Sequence, residues 1–208
     1  MGPAKSTRRY TSTLRAKAAL DTRRTILEAA MRLFLERGYG RVTVNDIATE
    51  ASLAVPTVYA STGGKAAILA TLIEEAMGDP IVGETLTAVR HSKSGDEVLR
   101  VTARGVRTDN ERYRDIIAVM KHAAAVDENA TAILQRSDAG YRQALAQIAR
   151  RLRTLHALPA GMTQAVATDI LWFCFGREAW QVLVTECGWS WDRAEQWLLS
   201  QARAALLA

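Results

Sequence analysis

Apolar residues recur three and four positions apart in segment after segment of this chain, and no stretch alternates long enough to read as a strand. Ile26, Leu27, Ala30, Leu33 and Phe34 show the spacing most clearly. Such a pattern lets a chain bury its apolar stripes only by packing helix on helix. Composition agrees. Ala and Leu are abundant, and Pro occurs only 4 times in 208 residues, which suits helices that Pro would break. The expected fold class is all-α.

The first firm helix is predicted from about Thr22 to Arg37, with Gly38 as its C-terminal stop. Two short helices follow. One begins at Thr43, where Thr43 and Asp46 have capping-box spacing with Asp in place of the usual Glu or Gln. The other covers about Val55 to Ser61, with Pro56 as its first helical residue, after a tight turn at Ala51 to Ala54. Gly63 and Gly64 break the chain before a long helix near Lys65. Further helices are predicted over 65–78, 95–108, 111–126, 128–157, 163–187 and 190–206, separated by breaks such as Asp79-Pro80 and Pro159-Ala160-Gly161. The expected organisation is a basic, flexible or partly helical arm over 1–21, a helix-turn-helix over 22–64, and a helical domain over 65–208.

Charge separates the same regions. Residues 1–65 carry 11 Lys and Arg against 5 Asp and Glu, a net of +6, whereas residues 66–208 carry 16 against 17, a net of −1. Positive charge concentrated at one end suggests a polyanionic partner for that end. A solvated basic tail would give the same count. A first helix supporting two short helices joined by a tight turn is a unit small enough to place one helix in the major groove of duplex DNA.

Ile26-Leu27-Glu28-Ala29-Ala30, Leu33-Phe34, Arg37-Gly38-Tyr39, Val42-Thr43-Val44-Asn45-Asp46-Ile47-Ala48, Thr57-Val58-Tyr59 and Lys65 together resemble the TetR-like family of bacterial regulators. The resemblance implies a homodimer on a two-fold symmetric DNA operator, with a C-terminal domain that binds a small-molecule effector. It implies that Thr43 meets a phosphate, that Pro56, Thr57 and Ser61 face base edges or thymine methyls, and that Tyr59 and Lys65 contact the DNA backbone. Arg8 and Arg9 are candidates for a minor groove, with an idle tail as the alternative. A cation at Lys65, in the first turn of a helix, opposes the helix dipole and calls for a reason. Three positions depart from the family pattern: Ser52 stands where Gly is usual, Ala54 where a polar N-cap is usual, and Thr62 where an aromatic packs.

Trp172, Phe175, Trp180 and Trp197 fall in the last two long predicted helices and are expected at the dimer interface, with an intrachain core as the alternative. Met120, His122 and Phe173 are candidates for the effector site. Cys174 and Cys187 are read on one helix, about 20 Å apart, too far for a disulfide, which fits reduced thiols in a cytoplasmic protein. Neither a signal peptide nor a membrane span is expected. His91, His122 and His156 make no metal-ligand cluster, and Gly63-Gly64-Lys65 lacks phosphate-loop spacing. No metal, cofactor or catalytic activity is expected. The rival reading is an all-helical ligand-binding or interaction module that does not bind DNA.

Overall fold

The computed structural model describes residues 6–207, with side chains from residue 15 onward. Every regular element among them is helical. The order is α1 (Ser6–Arg37), a 3₁₀ turn (Tyr39–Arg41), α2 (Val44–Glu50), α3 (Val55–Thr62), α4 (Lys65–Met77) and α5 (Ile81–His91). There follow α6 (Gly95–Arg112), α7 (Arg114–Ala124), α8 (Glu128–Thr154), α9 (Gln164–Phe175), α10 (Arg177–Trp180), a π-helical segment (Gln181–Glu186) and α11 (Trp191–Leu206).

Two compact units divide the chain. One holds the described residues up to Met77 together with Asp115–Leu134, and the other holds Gly78–Arg114 and Gln135 to the C-terminal end. Compactness therefore groups part of the 65–208 segment with the N-terminal helices.

In the first unit, α1 turns Ile26, Ala29, Ala30, Leu33 and Phe34 inward, and Ile47, Val58, Ile68 and Leu69 supply buried residues from α2, α3 and α4. In the second unit, one core draws on Leu99 and Val106 of α6, Leu145 and Leu152 of α8, Leu171 and Phe175 of α9, and Leu198 and Leu206 of α11.

The helices depart from the sequence reading in three places. The first helix starts at Ser6 rather than near Thr22, because nothing in the intervening segment breaks it: no Pro or Gly occurs between Ser6 and Arg37. Ile81–His91 is helical although no helix was expected there. Its Gly83, Thr85 and Thr87 are weak helix formers. A donated bond from the Ile81 N–H to Asp79 Oδ1 (2.9 Å) and one from the Glu84 N–H to the Pro80 carbonyl (2.8 Å) start it. The single helix expected over 163–187 is interrupted at Gly176, whose backbone is extended (ψ 158°). A Cβ there would lie 2.4 Å from the Trp172 carbonyl oxygen, so only glycine allows this close return. Cys174 and Cys187 consequently do not share one helix; both are free thiols.

Candidate nucleic-acid interface

Thr43 caps α2 in both directions. Its hydroxyl accepts from the Asp46 N–H (3.2 Å), and its own N–H donates to Asp46 Oδ2 (2.8 Å). Asp therefore completes the reciprocal cap that Glu or Gln usually supplies. The Thr43 hydroxyl also donates to Asp46 Oδ2, and this bond, followed by that from the Thr43 N–H, holds the Asp46 carboxyl below the usual carboxylate range.

The turn between α2 and α3 closes on Ser52. Ser52 N–H donates to the Thr49 carbonyl (3.1 Å) and Leu53 N–H to the Ala48 carbonyl (2.9 Å), the paired bonds of a Schellman stop. That geometry demands a left-handed residue, and Ser52 takes it at φ 56°. Glycine would adopt the same conformation without the Cβ penalty.

Helix α3 begins at Val55 with Pro56 next, one residue earlier than the sequence suggested, and Ala54 provides no side-chain cap. Pro56 and Thr57 are exposed, Ser61 is half-buried, and Tyr59 is 55% exposed. At that exposure Tyr59 is not part of the core. Val58 and Thr62 point the other way and are buried. Thr62 fills its aromatic-replacing position by donating its hydroxyl to the Val58 carbonyl (3.0 Å).

Lys65 has the reason its position calls for. Its Nζ donates to the Tyr39 carbonyl (3.0 Å) and lies 4.3 Å from the centroid of the Tyr39 ring. The Tyr39 ring is buried and packs on Phe34, 5.1 Å between centroids. Its hydroxyl donates to Asp127 Oδ2 (2.9 Å). Asp127 in turn accepts from the backbone N–H groups of Asn129 (2.9 Å) and Ala130 (3.3 Å) in the first turn of α8. Burial, then the bond to Asp127, pushes the Tyr39 phenol well above its ordinary value. The Tyr39 hydroxyl is the main reason the Asp127 carboxyl is held below its own.

Sequence reasoning also missed Arg23. Its guanidinium donates to the Ser61 carbonyl (3.2 Å) and to Thr71 Oγ1 (3.1 Å), tying the end of α3 to α4. Arg23 is one of several basic residues on α1, and only its distant partners distinguish it.

Arg8 and Arg9 belong to α1, but their side chains lie outside the described residues. The remaining candidates separate by burial. Phe175 (0% exposed) and Trp180 (1%) are enclosed by their own chain, so neither is at a subunit interface. Their helices amphipathically bury these positions, and aromatic content alone could not tell core from interface. Trp172 is half-buried, edge-on to Tyr141 at 5.7 Å between centroids, and Trp197 is exposed. Met120 is buried within the first unit and His122 is exposed. Phe173 is 80% exposed. Met120 and His122 belong to the first unit and Phe173 to the second. An apolar cavity lies instead in the second unit, between α5, α6 and α8, lined among others by Leu86, Val106, Asp109, Tyr141 and Ile148.

Among the described residues no His, Cys, Asp or Glu cluster is arranged as a metal site, and no helix is long and apolar enough to cross a membrane.

A three-helix unit with a tight turn between its short second and third helices defines a helix-turn-helix protein. Residues 26–72 match the family of bacterial regulatory proteins, tetR family. The fold beyond that segment agrees. SmeT in complex with triclosan is 22% identical, with 90% of this chain and 92% of that one covered and a TM-score of 0.74. SmeT is the repressor of the Stenotrophomonas maltophilia multidrug efflux pump SmeDEF. NalD, the secondary repressor of the MexAB-OprM multidrug efflux pump in Pseudomonas aeruginosa, is 20% identical, covers 92% and 98%, and has a TM-score of 0.74. A putative transcriptional regulator from Saccharomonospora viridis in complex with choline is 18% identical, covers 90% and 98%, and has a TM-score of 0.69. No curated protein matches the chain by sequence. The N-terminal segment is thus similar to the tetR family over residues 26–72, and the likeness to these solved structures shows a shared all-α fold.

Proposed function

We propose that this chain is a ligand-responsive transcriptional regulator that binds a two-fold symmetric DNA operator as a homodimer and acts as a repressor released by a small hydrophobic effector. The observation that carries the DNA reading is the outer face of α3, where Pro56, Thr57 and Tyr59 stand exposed on a helix whose other face is buried. An exposed short helix with a fixed inner face is what entry into the major groove requires. Thr43, at the capped start of α2, and Lys65, with N–H groups beyond the one given to Tyr39, are placed to meet backbone phosphates. Ser61 is half-buried and is assigned a contact only at the end of the groove. Arg8 and Arg9 would add minor-groove contacts.

The dimer reading is supported by apolar side chains left outside the core on α9 and α11, chiefly Phe173 and Trp197, with Val166 about two turns before Phe173 on α9. Two copies joined face to face there would bury these aromatics. Trp172 would contribute only its outer edge. The effector reading is supported by the cavity of the second unit and by likeness to regulators solved with triclosan and with choline.

The test is fluorescence anisotropy on duplex DNA across a salt series. Affinity should fall steeply with salt through counterion release. Thr57→Glu together with Tyr59→Glu should abolish binding while leaving the circular dichroism spectrum intact. Binding that survives both substitutions, or no binding at low salt, would refute the assignment of α3.

A further inference from the structure

The wall of the second unit's cavity is apolar almost throughout. Ile81, Val82 and Leu86 come from α5, Val106 from α6, and Leu145 and Ile148 from α8. Asp109 is the carboxylate among the lining residues, and Tyr141 is the other titratable group. The Tyr141 hydroxyl is already committed, donating to the Phe175 carbonyl (2.8 Å). A carboxylate on an otherwise apolar wall is costly unless a cation compensates it.

The nearby cations are engaged with other acids. Arg177 donates to Asp138 (2.5 Å) and to Ser137 Oγ (3.0 Å). Arg112 donates to Asp79 (2.7 Å), which also accepts from the Tyr113 hydroxyl (2.6 Å). Burial pushes the Asp109 carboxyl up, the field of Arg177 opposes this without cancelling it, and Asp79 adds a further push in the same direction. Asp109 thus sets a carboxylate against an apolar wall, while Arg177 and Arg112 are bonded to Asp138 and Asp79.

We propose that this cavity binds a lipophilic organic cation, with Asp109 as its counter-charge and the α5, α6 and α8 side chains around its apolar part. The inference rests on the effector half of the preceding proposal and names the chemical class of the effector. It does not depend on DNA binding.

The free space is about 30 Å³, near the volume of one water, so the ligand must widen it. Helix α5 is the wall that yields. Only Val89 of its residues is fully buried, and Val82 is exposed. The helix crosses α6 at Gly105, where a Cβ would lie 2.2 Å from Thr85 Oγ1, so the two backbones approach closely there.

The experiment uses the full chain without DNA and a matched pair of probes, phenyltrimethylammonium and its uncharged carbon isostere tert-butylbenzene. Methyl resonances of Val106, Leu145 and Ile148 report the site. The cation should shift them and bind about tenfold or more tightly than the isostere, the scale of one partly screened charge–charge attraction without a hydrogen bond. Asp109→Asn should erase that preference while leaving isostere binding in place. Equal or tighter binding of the isostere to the unaltered protein would overturn the proposal, and so would a cation that leaves these methyl groups unmoved. An Asp109→Asn protein that keeps the preference would overturn it as well. The wild-type pair decides the matter even where the variant does not fold. DNA affinity plays no part in the readout, so failure here and failure of the DNA reading are separate results.

Discussion

Replacing Tyr39 by Phe removes one hydroxyl and leaves the ring that packs on Phe34 and under Lys65. The hydroxyl is a buried donor to a carboxylate at 2.9 Å. A hydrogen bond to a charged group contributes about 1.5–3 kcal/mol. Asp127 is only half-buried and keeps its two backbone bonds in α8, so water and the cap take up part of the loss. The expected destabilisation of the first unit is therefore about 1–2 kcal/mol at neutral pH. The pH dependence follows from the direction of each shift. The Asp127 carboxyl is held below its unfolded value, so its share of the stability is full above about pH 4 and is lost as pH falls through the lowered folded value. The Tyr39 phenol is raised, so its share is present below about pH 10 and is lost only as pH rises through the higher folded value. The gap between wild type and Tyr39→Phe should thus be widest between these limits and narrow on the acid side. All 5 tryptophans lie from Trp172 to Trp197, in the second unit, so their fluorescence would report the wrong part of the molecule. Native-state hydrogen exchange of α1 and of the first turn of α8, followed in urea, reads the first unit directly. A difference below about 0.3 kcal/mol, or one that does not shrink as pH falls below about 4 through the lowered Asp127 value, would refute the reasoning, since the bond loses its charge assistance when its acceptor is protonated.

Three further outcomes follow from the same geometry. Ser52→Gly should stabilise the first unit by about 0.5–1 kcal/mol, the left-handed penalty relieved less the greater freedom of glycine in the unfolded chain; a loss of stability in urea unfolding would show that Ser52 makes a compensating contact. Lys65→Ala should weaken binding to all duplexes alike and reduce the salt slope by about two for a dimer, one counterion per protomer; altered sequence preference with an unchanged slope would contradict a phosphate contact. Phe173→Glu should give folded monomers by light scattering, whereas Phe175→Glu should unfold the second unit, and dimers of Phe173→Glu at micromolar concentration would place the interface elsewhere.

The sequence carried the helical class and the helix-turn-helix because their signals are local. The spacing from Ile26 to Phe34, the Thr43–Asp46 cap and the Gly63-Gly64 break each act within one or two turns of chain. The outward residues of α3 came from the family resemblance rather than from spacing; the structure buries Val58 and Thr62 on the opposite face. What stayed hidden depends on residues distant in sequence. Tyr39 meets Asp127 across 88 positions, and Arg23 meets Ser61 and Thr71 across 38 and 48. No spacing rule anticipates such pairs. Aromatic content points to the C-terminal helices but does not sort their faces: Phe175 and Trp180 are buried, whereas Phe173 and Trp197 are exposed. The cavity was missed because α5 was missed. Gly83, Thr85 and Thr87 weaken its helix signal, and without that wall Asp109 and Tyr141 have no partner face.

The central claim is that α3 reads duplex DNA in two copies related by two-fold symmetry. Selection of bound sequences from a random duplex pool by the full chain tests it most directly. The account predicts an enriched palindrome whose half-sites are centred about 34–36 Å apart along the helix, or further if the DNA deforms, and loss of that enrichment in the Thr57→Glu, Tyr59→Glu protein. A pool that shows no enrichment after repeated rounds at low salt, or an enriched single site without symmetry, would contradict it.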